Sequence, residues 1–291
     1  MAIPFSELTE RHPCFAIGQK SNKGRIHLPT SPTCNIECKF CSRKINDYED
    51  RPGVSSTVIK PEEAVGAVKR AIELCGNITV AGIAGPGDTL ASPYALETFR
   101  LIKEAYPDII KCMSTNGLLL SEKAGEIIDA GIDTLTVTVN AVDPEIEAKI
   151  NGRILYHGEM IEGVEGAEIL IRNQLDGIAK VAEGGVTVKV NTVLVPEVNG
   201  DHVSEVAKTV KAAGARIYNI IPMIPMNEFK NLRPPSCAEI DRTRAEAERY
   251  IEVFRHCSRC RADAVGTPGG KDYGKQIYLK RVEVQETFSH G

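Results

Sequence analysis

Cys34-Asn35-Ile36-Glu37-Cys38-Lys39-Phe40-Cys41 is the stretch on which the reading of the whole chain turns. Three thiols are spaced x3 and then x2, and no fourth Cys follows nearby. A closed structural zinc site takes four tetrahedral ligands, usually from two separated pairs. Three thiolates on one loop instead suit a [4Fe-4S] cluster in which one iron keeps no protein ligand. That iron is then open to chemistry. A zinc loop and three buried thiols are the plainer readings of the same residues. The tight spacing, directly after a short strand, favours the cluster.

The chain around the loop has 291 residues and is 42% hydrophobic, enough for one large α/β domain or two small ones. Trp is absent, aromatics make up 5%, and the net charge is -4 with no long basic run. There is no stacking platform for single-stranded nucleic acid and no basic patch to attract it. Met1-Ala2-Ile3-Pro4-Phe5-Ser6-Glu7 lacks a basic region followed by an apolar core, so no signal peptide is expected. No apolar run reaches membrane-spanning length. A cytoplasmic protein is expected. Nine Cys in such a chain point to a reducing compartment and metal binding, not disulfides.

Working outward from the loop, residues 1–24 read as polar and irregular, with His12-Pro13-Cys14 in their middle. Arg25-Ile26-His27-Leu28 reads as a strand. Helix 61–74 follows, with Pro61 in its first turn and Glu62 and Glu63 at its positive end. The pattern then repeats: strand 78–83 and helix 93–105, strand 109–114 and helix 121–130 with Ser121 as N-cap. Strand 134–139 precedes a polar stretch at 143–165 and a helix over 167–182. Strand 187–194 and helix 202–213 come next. Strand 216–221, a Pro-rich connection and a charged helix over 238–254 complete six strand-then-helix units. This alternation predicts a parallel sheet with helices outside it. Six units fall short of a closed eight-unit barrel, so the fold class is α/β, a partial barrel, with a doubly wound sheet as the alternative. Reactive groups should gather at the C-terminal ends of the strands.

The residues at those ends agree. Gly85-Pro86-Gly87-Asp88 follows the second strand, and Ser114-Thr115-Asn116-Gly117 the third. Thr138 and Asn140 follow the fourth, and Val190 and Asn191 lie in the fifth. Glycines admit a close backbone approach to a ligand, and the polar side chains suit ribose hydroxyls and a carboxylate. Each is also an ordinary turn or β-forming residue. Near the C-terminus, Cys257-Ser258-Arg259-Cys260 holds one edge of a metal site and needs partners. Cys14, His27 and Cys112 are the candidates. His27 alternates with Arg25 and Pro29, not with the apolar Ile26 and Leu28, which puts it on a functional face. Cys75 and Cys237 are assigned to packing or capping.

The Cys-x3-Cys-x2-Cys loop, with Phe40 before its last Cys, resembles the signature of radical S-adenosylmethionine (SAM) enzymes. In these an open iron chelates the methionine end of SAM, and an electron breaks the sulfonium bond. Residues 10–267 resemble the NifB family of nitrogenase cofactor biosynthesis proteins more specifically. The motifs that carry this are His12-Pro13-Cys14, Arg25-Ile26-His27, the cluster loop through Lys44, Arg51-Pro52-Gly53, Ala84 to Asp88, Cys112 to Gly117, and Cys257 to Gly266. The resemblance implies a radical SAM core, residues 25–235, between an N-terminal extension, 1–24, carrying a cluster ligand and a C-terminal segment, 236–291, carrying the Cys pair. It implies fusion of two [4Fe-4S] units into an eight-iron cluster, with a carbide from a SAM methyl group and an added sulfur from sulfite. The implied cofactors are SAM and three [4Fe-4S] clusters, two of them substrate. Cys34, Cys38 and Cys41 would hold the SAM-cleaving cluster. Cys257 and Cys260 would hold one substrate cluster, with Cys14, Cys112 and His27 among the ligands of the pair. Gly85, Gly87, Asp88, Ser114, Asn116, Thr138, Asn140, Val190 and Asn191 would contact SAM. Iron–sulfur donor proteins, an electron donor and a carrier or scaffold protein of nitrogenase assembly are the implied partners. Two departures stand out. Many relatives have a further Cys shortly after the loop. Here residues 44–50 have none, so Asp47 or Glu49 replaces it, or the cluster is ligated more loosely. The chain also stops soon after the Cys pair, so a stand-alone form without a C-terminal carrier domain is expected.

Overall fold

Period-two alternation within each strand decides what faces the helices and what faces inward. The structure, a computed structural model, describes residues 3–18 and 20–278. Residues 1–2, 19 and 279–291, parts of the expected N-terminal extension and tail, lie outside the described residues. The main sheet comprises β1 (Gly24–His27), β2 (Ile78–Ile83), β3 (Ile110–Thr115), β4 (Thr134–Thr138), β5 (Thr187–Leu194), β6 (Ile217–Pro222), β7 (Glu252–Val253) and β8 (Val265–Gly266). Its spatial order is β7-β6-β5-β4-β3-β2-β1-β8. Neighbours from β1 through β7 are parallel, and β8 runs antiparallel to β1. A doubly wound sheet would reverse its order at a switch point. Here the order follows the chain without reversal, which makes the fold a partial barrel. Its two edges, β7 and β8, come from one segment. Residues 254–264, with Cys257 and Cys260, therefore cross from one edge to the other.

The outward residues of the strands, including Ile26, Ile83, Met113, Leu135, Val137, Val190 and Ile220, are buried in one apolar core. Helices α1 (Pro61–Cys75), α2 (Tyr94–Ala105), α3 (Leu120–Asp129), α4 (Gly163–Glu183), α5 (Val203–Ala212) and α6 (Cys237–Ala247) contribute its other half. Ala64, Ala67, Val68 and Ala71 are the face of α1 that does so, and Gly76 at φ 67° ends that helix. Each buried Val, Ile or Leu side chain contributes roughly 1.5–3 kcal/mol. The inward residues are different: Arg25, His27, Gly82, Cys112, Ser114, Thr136, Thr138, Lys189, Asn191 and Asn219.

The N-terminal extension, read as irregular, contains a helix at Phe5–Arg11 and plugs one end of the barrel. Leu8 packs on Val80 and Ile110, and Phe15 on Ile217 and Phe254. The stretch 143–165 is also ordered. Pro144–Ile150 is a helix capped by Asp143, and Asn151–Tyr156 and Glu159–Glu162 form a hairpin. His157 at φ 51° and Gly158 at φ 83° make its turn, the left-handed pair that two-residue hairpins favour.

Two helix boundaries differ from expectation. Helix α3 begins at Leu120, so Ser121 lies inside it and donates to Asp176 instead of capping. Helix α6 starts after Ser236, whose side chain and Glu239 form a capping box, and stops at Ala247. The alternation Ile251-Glu252-Val253 then puts residues 252–253 into the sheet beside Ile217 and Tyr218. Among the described residues no helix is long and apolar enough to cross a membrane.

Candidate functional site

The three-Cys loop is built as a short strand and a tight turn. Ile36–Cys38 pairs with the hairpin strand Asn151–Tyr156. Ile36 is buried against Leu118, Ile154 and Leu170, which fixes one side of the loop. Cys41 N donates to Cys38 O at 2.8 Å, so the turn brings the last thiol back toward the second. Phe40 anchors the other side against Val195, Met223 and Phe229. Burial pushes the Cys34 thiol up to about 11, and nearby Asp88 adds to this. Burial and the neighbouring Cys41 and Cys34 push Cys38 well above the usual thiol range. Burial raises Cys41 too, against the guanidiniums of Arg43 and Arg51. Three thiolates there are costly until a cationic core joins them.

Each thiolate of a cubane binds a different iron corner, so the sulfurs stand farther apart than around one ion. Among the described residues no three His, Cys, Asp or Glu side chains gather closely enough for a single metal ion. Three thiols on one short turn, close enough to feel one another's charge, fit a [4Fe-4S] cluster.

The Gly85–Asp88 turn locks onto this loop. Gly87 N donates to Ser31 O and Asp88 N to Thr33 O, both at 2.7 Å. A Cβ at Gly87 would stand 1.9 Å from Thr33 O. The glycine at 87 therefore lets the chain approach itself. Asp88 is buried and accepts from Asn116 N at 2.6 Å, Leu90 N at 2.9 Å and Thr115 Oγ1 at 3.0 Å. Burial raises its pKa, and these donors oppose the rise. Asn116 Nδ2 in turn donates to Asn35 Oδ1 at 2.7 Å, beside Cys34. One chain of bonds thus ties the ends of β2 and β3 to the cluster loop.

A cavity of about 380 Å³ runs through the barrel beneath this loop. Cys34, Cys38, Cys41, Cys14, His27, Cys112, Cys257 and Cys260 all line it, as do Gly87, Asp88, Ser114, Asn116, Thr138, Asn140 and Asn191. Register explains part of the gathering. His27, Gly82 and Cys112 are cross-strand partners on β1, β2 and β3, and a Cβ at Gly82 would lie 3.3 Å from the His27 ring. Cys14 arrives on the plug, and Cys257 and Cys260 arrive on the crossing segment. Gly85, with φ 118°, and Val190, in the outer core, are not among the lining residues. Glu49 also lies elsewhere. It pairs with Arg51 at 2.6 Å and lines a second cavity of about 520 Å³. Asp47 lines that cavity too.

His12, which is buried, and His27, which is half-buried, carry opposite tautomers. His27 Nδ1 lies 3.0 Å from Arg261 O, and a carbonyl only accepts, so Nδ1 holds the proton. Nε2 then keeps its lone pair, which suits a metal ligand. Burial, aided by the Arg25 charge, lowers the His27 pKa to about 4, so the ring is neutral. His12 Nδ1 instead accepts from Cys14 N at 3.1 Å, so its Nε2 holds the proton. Arg25 and Lys189 are two of the cations that line the cavity. Lys189 is buried, its Nζ 4.8 Å from the Phe15 ring centroid and 3.1 Å from Cys14 O. Arg25 is buried beside Cys260. Neither pairs with a carboxylate among the described residues. An interior with buried cations facing thiols suits anionic cargo. Lys189 is the residue that reading the sequence missed. Its place two before Asn191 in a strand put it on the inner face.

The chain matches the radical SAM superfamily model over residues 28–210. Among solved structures, Streptococcus suis SuiB bound to S-adenosylmethionine is 12% identical with a TM-score of 0.57, covering 86% of this chain and 52% of that one. Methylornithine synthase is 15% identical with a TM-score of 0.52, covering 86% and 68%. Both likenesses are of fold. Among curated proteins, the FeMo cofactor biosynthesis protein NifB of Methanocaldococcus infernus is 46% identical over 279 residues, 95% of this chain and 92% of that protein. Its counterpart in Methanocaldococcus jannaschii is 47% identical over 264 residues, 90% and 88%. That of Chlorobaculum tepidum is 41% identical, with 89% of this chain covering 62% of the relative. The fold, the thiol-lined barrel and these identities over nearly the whole chain make it a member of the NifB family of radical SAM proteins.

Proposed function

We propose that this chain fuses two [4Fe-4S] clusters, inserts a carbide drawn from the methyl group of one SAM, and adds a sulfur to give the eight-iron precursor of the nitrogenase cofactor. The observation that supports this is the shared cavity. Cys14, His27, Cys112, Cys257 and Cys260 line the same space as the three-Cys loop. When bound there, a cluster on Cys34, Cys38 and Cys41 supplies the electron that cleaves a second SAM to a 5′-deoxyadenosyl radical. Ser114, Asn116, Thr138, Asn140 and Asn191 line the route between that loop and the cargo and hold SAM. The cargo clusters are substrates that must be gripped and later released. Imidazole is neutral and a weaker anchor than thiolate, so His27 is the ligand that lets go first. The hydrogen bond to Arg261 O keeps its ring aimed while it is free. Cluster donor proteins, an electron donor and a cofactor carrier or scaffold are the partners this role requires.

The test is anaerobic turnover with methyl-labelled SAM. Label should appear in an iron–sulfur product, alongside 5′-deoxyadenosine. Release of 5′-deoxyadenosine with no label in any cluster would sink the proposal. Cys38→Ala should abolish SAM cleavage while the Cys257/Cys260 site still takes up iron. His27→Ala should cleave SAM and fail to yield the fused cluster. Normal product from that variant would remove His27 from the mechanism.

A further inference from the structure

Arg25 is one-twentieth exposed and stands where the two cavities meet, lining both together with Cys260. Its Nη1 donates to Gly266 O at 2.5 Å and its Nη2 to Cys260 Sγ at 3.2 Å, while its Nε–H is buried without a partner. No carboxylate pairs with it among the described residues. A buried guanidinium without a direct carboxylate partner favours a further negative charge beside it. The only sulfur it touches is one of the proposed cargo ligands. The placement is rigid. Arg25 and Gly266 are register partners across β1 and β8, and His27 N donates to Ala264 O at 2.9 Å. Strand β1 therefore carries both a cargo ligand, His27, and the donor to another ligand, Cys260. Another buried cation, Lys189, is bonded differently. Its Nζ donates to the Cys14 carbonyl, not to a sulfur.

We infer that Arg25 is a positioning residue for cargo: its charged N–H···S bond fixes the Cys260 sulfur and makes the cluster held there easier to reduce than it would be without that bond. Hydrogen bonds to cluster sulfurs and nearby positive charge favour the more negative, reduced state and so raise the potential. Arg25 supplies both to Cys260, whereas Lys189 brings charge near Cys112 without a bond to a sulfur. The two cargo positions are thereby made unequal before SAM chemistry begins. This rests on the proposed role of Cys257 and Cys260 as cargo ligands.

The experiment uses the full chain with Cys34, Cys38 and Cys41 all changed to Ala, so that only cargo positions load. It is reconstituted anaerobically with iron and sulfide, and titrated with dithionite while EPR follows each signal. In this background Cys257→Ala/Cys260→Ala should remove one of two signals. Arg25→Met should keep both signals and move that same one to a more negative midpoint, leaving the other in place. Arg25→Lys, which keeps the charge but loses the fork, should fall between. If Arg25→Met does not load, Arg25→Gln decides, since its amide can donate but carries no charge, and its midpoint should also fall. An unmoved midpoint in the variants that load overturns the role of Arg25 and leaves the ligand assignment standing. Two signals surviving in Cys257→Ala/Cys260→Ala would overturn the ligand assignment itself.

Discussion

Asp88→Ala isolates the contact that holds the loops after β2 and β3 together. The carboxylate satisfies two buried backbone donors, Asn116 N and Leu90 N, and the Thr115 hydroxyl. The hydroxyl can turn to another acceptor, but the two N–H groups cannot. Each buried orphan donor costs about 1–3 kcal/mol. Burial raises the pKa of Asp88, so part of the bond strength only offsets the desolvation of its charge. The net loss should be about 3 kcal/mol, from a total stability of about 5–15 kcal/mol. At this chain length that lowers the midpoint by roughly 6 °C. Asp88→Asn keeps one oxygen acceptor and turns an amide N–H toward a donor, so it should lose about half as much. The assay is thermal and urea unfolding of the metal-free protein under reducing conditions, followed by circular dichroism. Melting of Asp88→Ala indistinguishable from wild type would refute the argument. So would an Asp88→Asn as unstable as Asp88→Ala, because the distinction rests on how many acceptors remain.

Gly87→Ala should prevent the three-Cys loop from retaining iron and depress the melting temperature, since its Cβ meets Thr33 O at 1.9 Å. Gly82→Ala, at 3.3 Å from the His27 ring, should fold normally; iron analysis and melting curves on the two variants check the contrast. Glu147 is buried beneath the loop, accepts from Asn151 Nδ2, and has its pKa raised by burial from 4.5 to about 8. The folded state thus holds this proton more tightly than the unfolded one. Its contribution is fully present below about pH 4.5 and is lost as pH rises to about 8. Glu147→Gln should remove that decline, gaining a few kcal/mol over wild type at pH 8 compared with pH 5; equal pH slopes in urea unfolding would contradict it.

How far the sequence could be read follows from how local each signal is. The strand-then-helix alternation depends on residues close in the chain, so the partial barrel was legible before any coordinates. The three-Cys loop was legible for the same reason. Where periodicity had to be extended past a stop, the reading ran too far. Helix α6 was drawn to Phe254 because its polar residues continue, yet the period changes at Ile251-Glu252-Val253 and the chain enters the sheet. The extension before β1 looked irregular because one short helix has no periodic run to display, although Leu8 and Phe15 are fully buried in the barrel. Side-chain partnership was the least legible. The alternation that set His27 on a functional face also set Arg25 there, but nothing in residues 24–28 states that its guanidinium will meet Cys260, more than two hundred residues on. That meeting depends on a segment which crosses the open side of the barrel and returns beside β1. Glu49 makes the same point in reverse. The lack here of the Cys that many relatives carry shortly after the loop suggested Asp47 or Glu49 in its place, whereas Arg51, paired with Glu49, and Arg261, bonded to the Glu49 carbonyl, hold residues 47–50 along the second cavity. A barrel whose open side is crossed by its own C-terminal segment puts Arg25 beside Cys260 and Lys189 beside the Cys14 carbonyl, and that difference follows from topology before it is visible in any single motif.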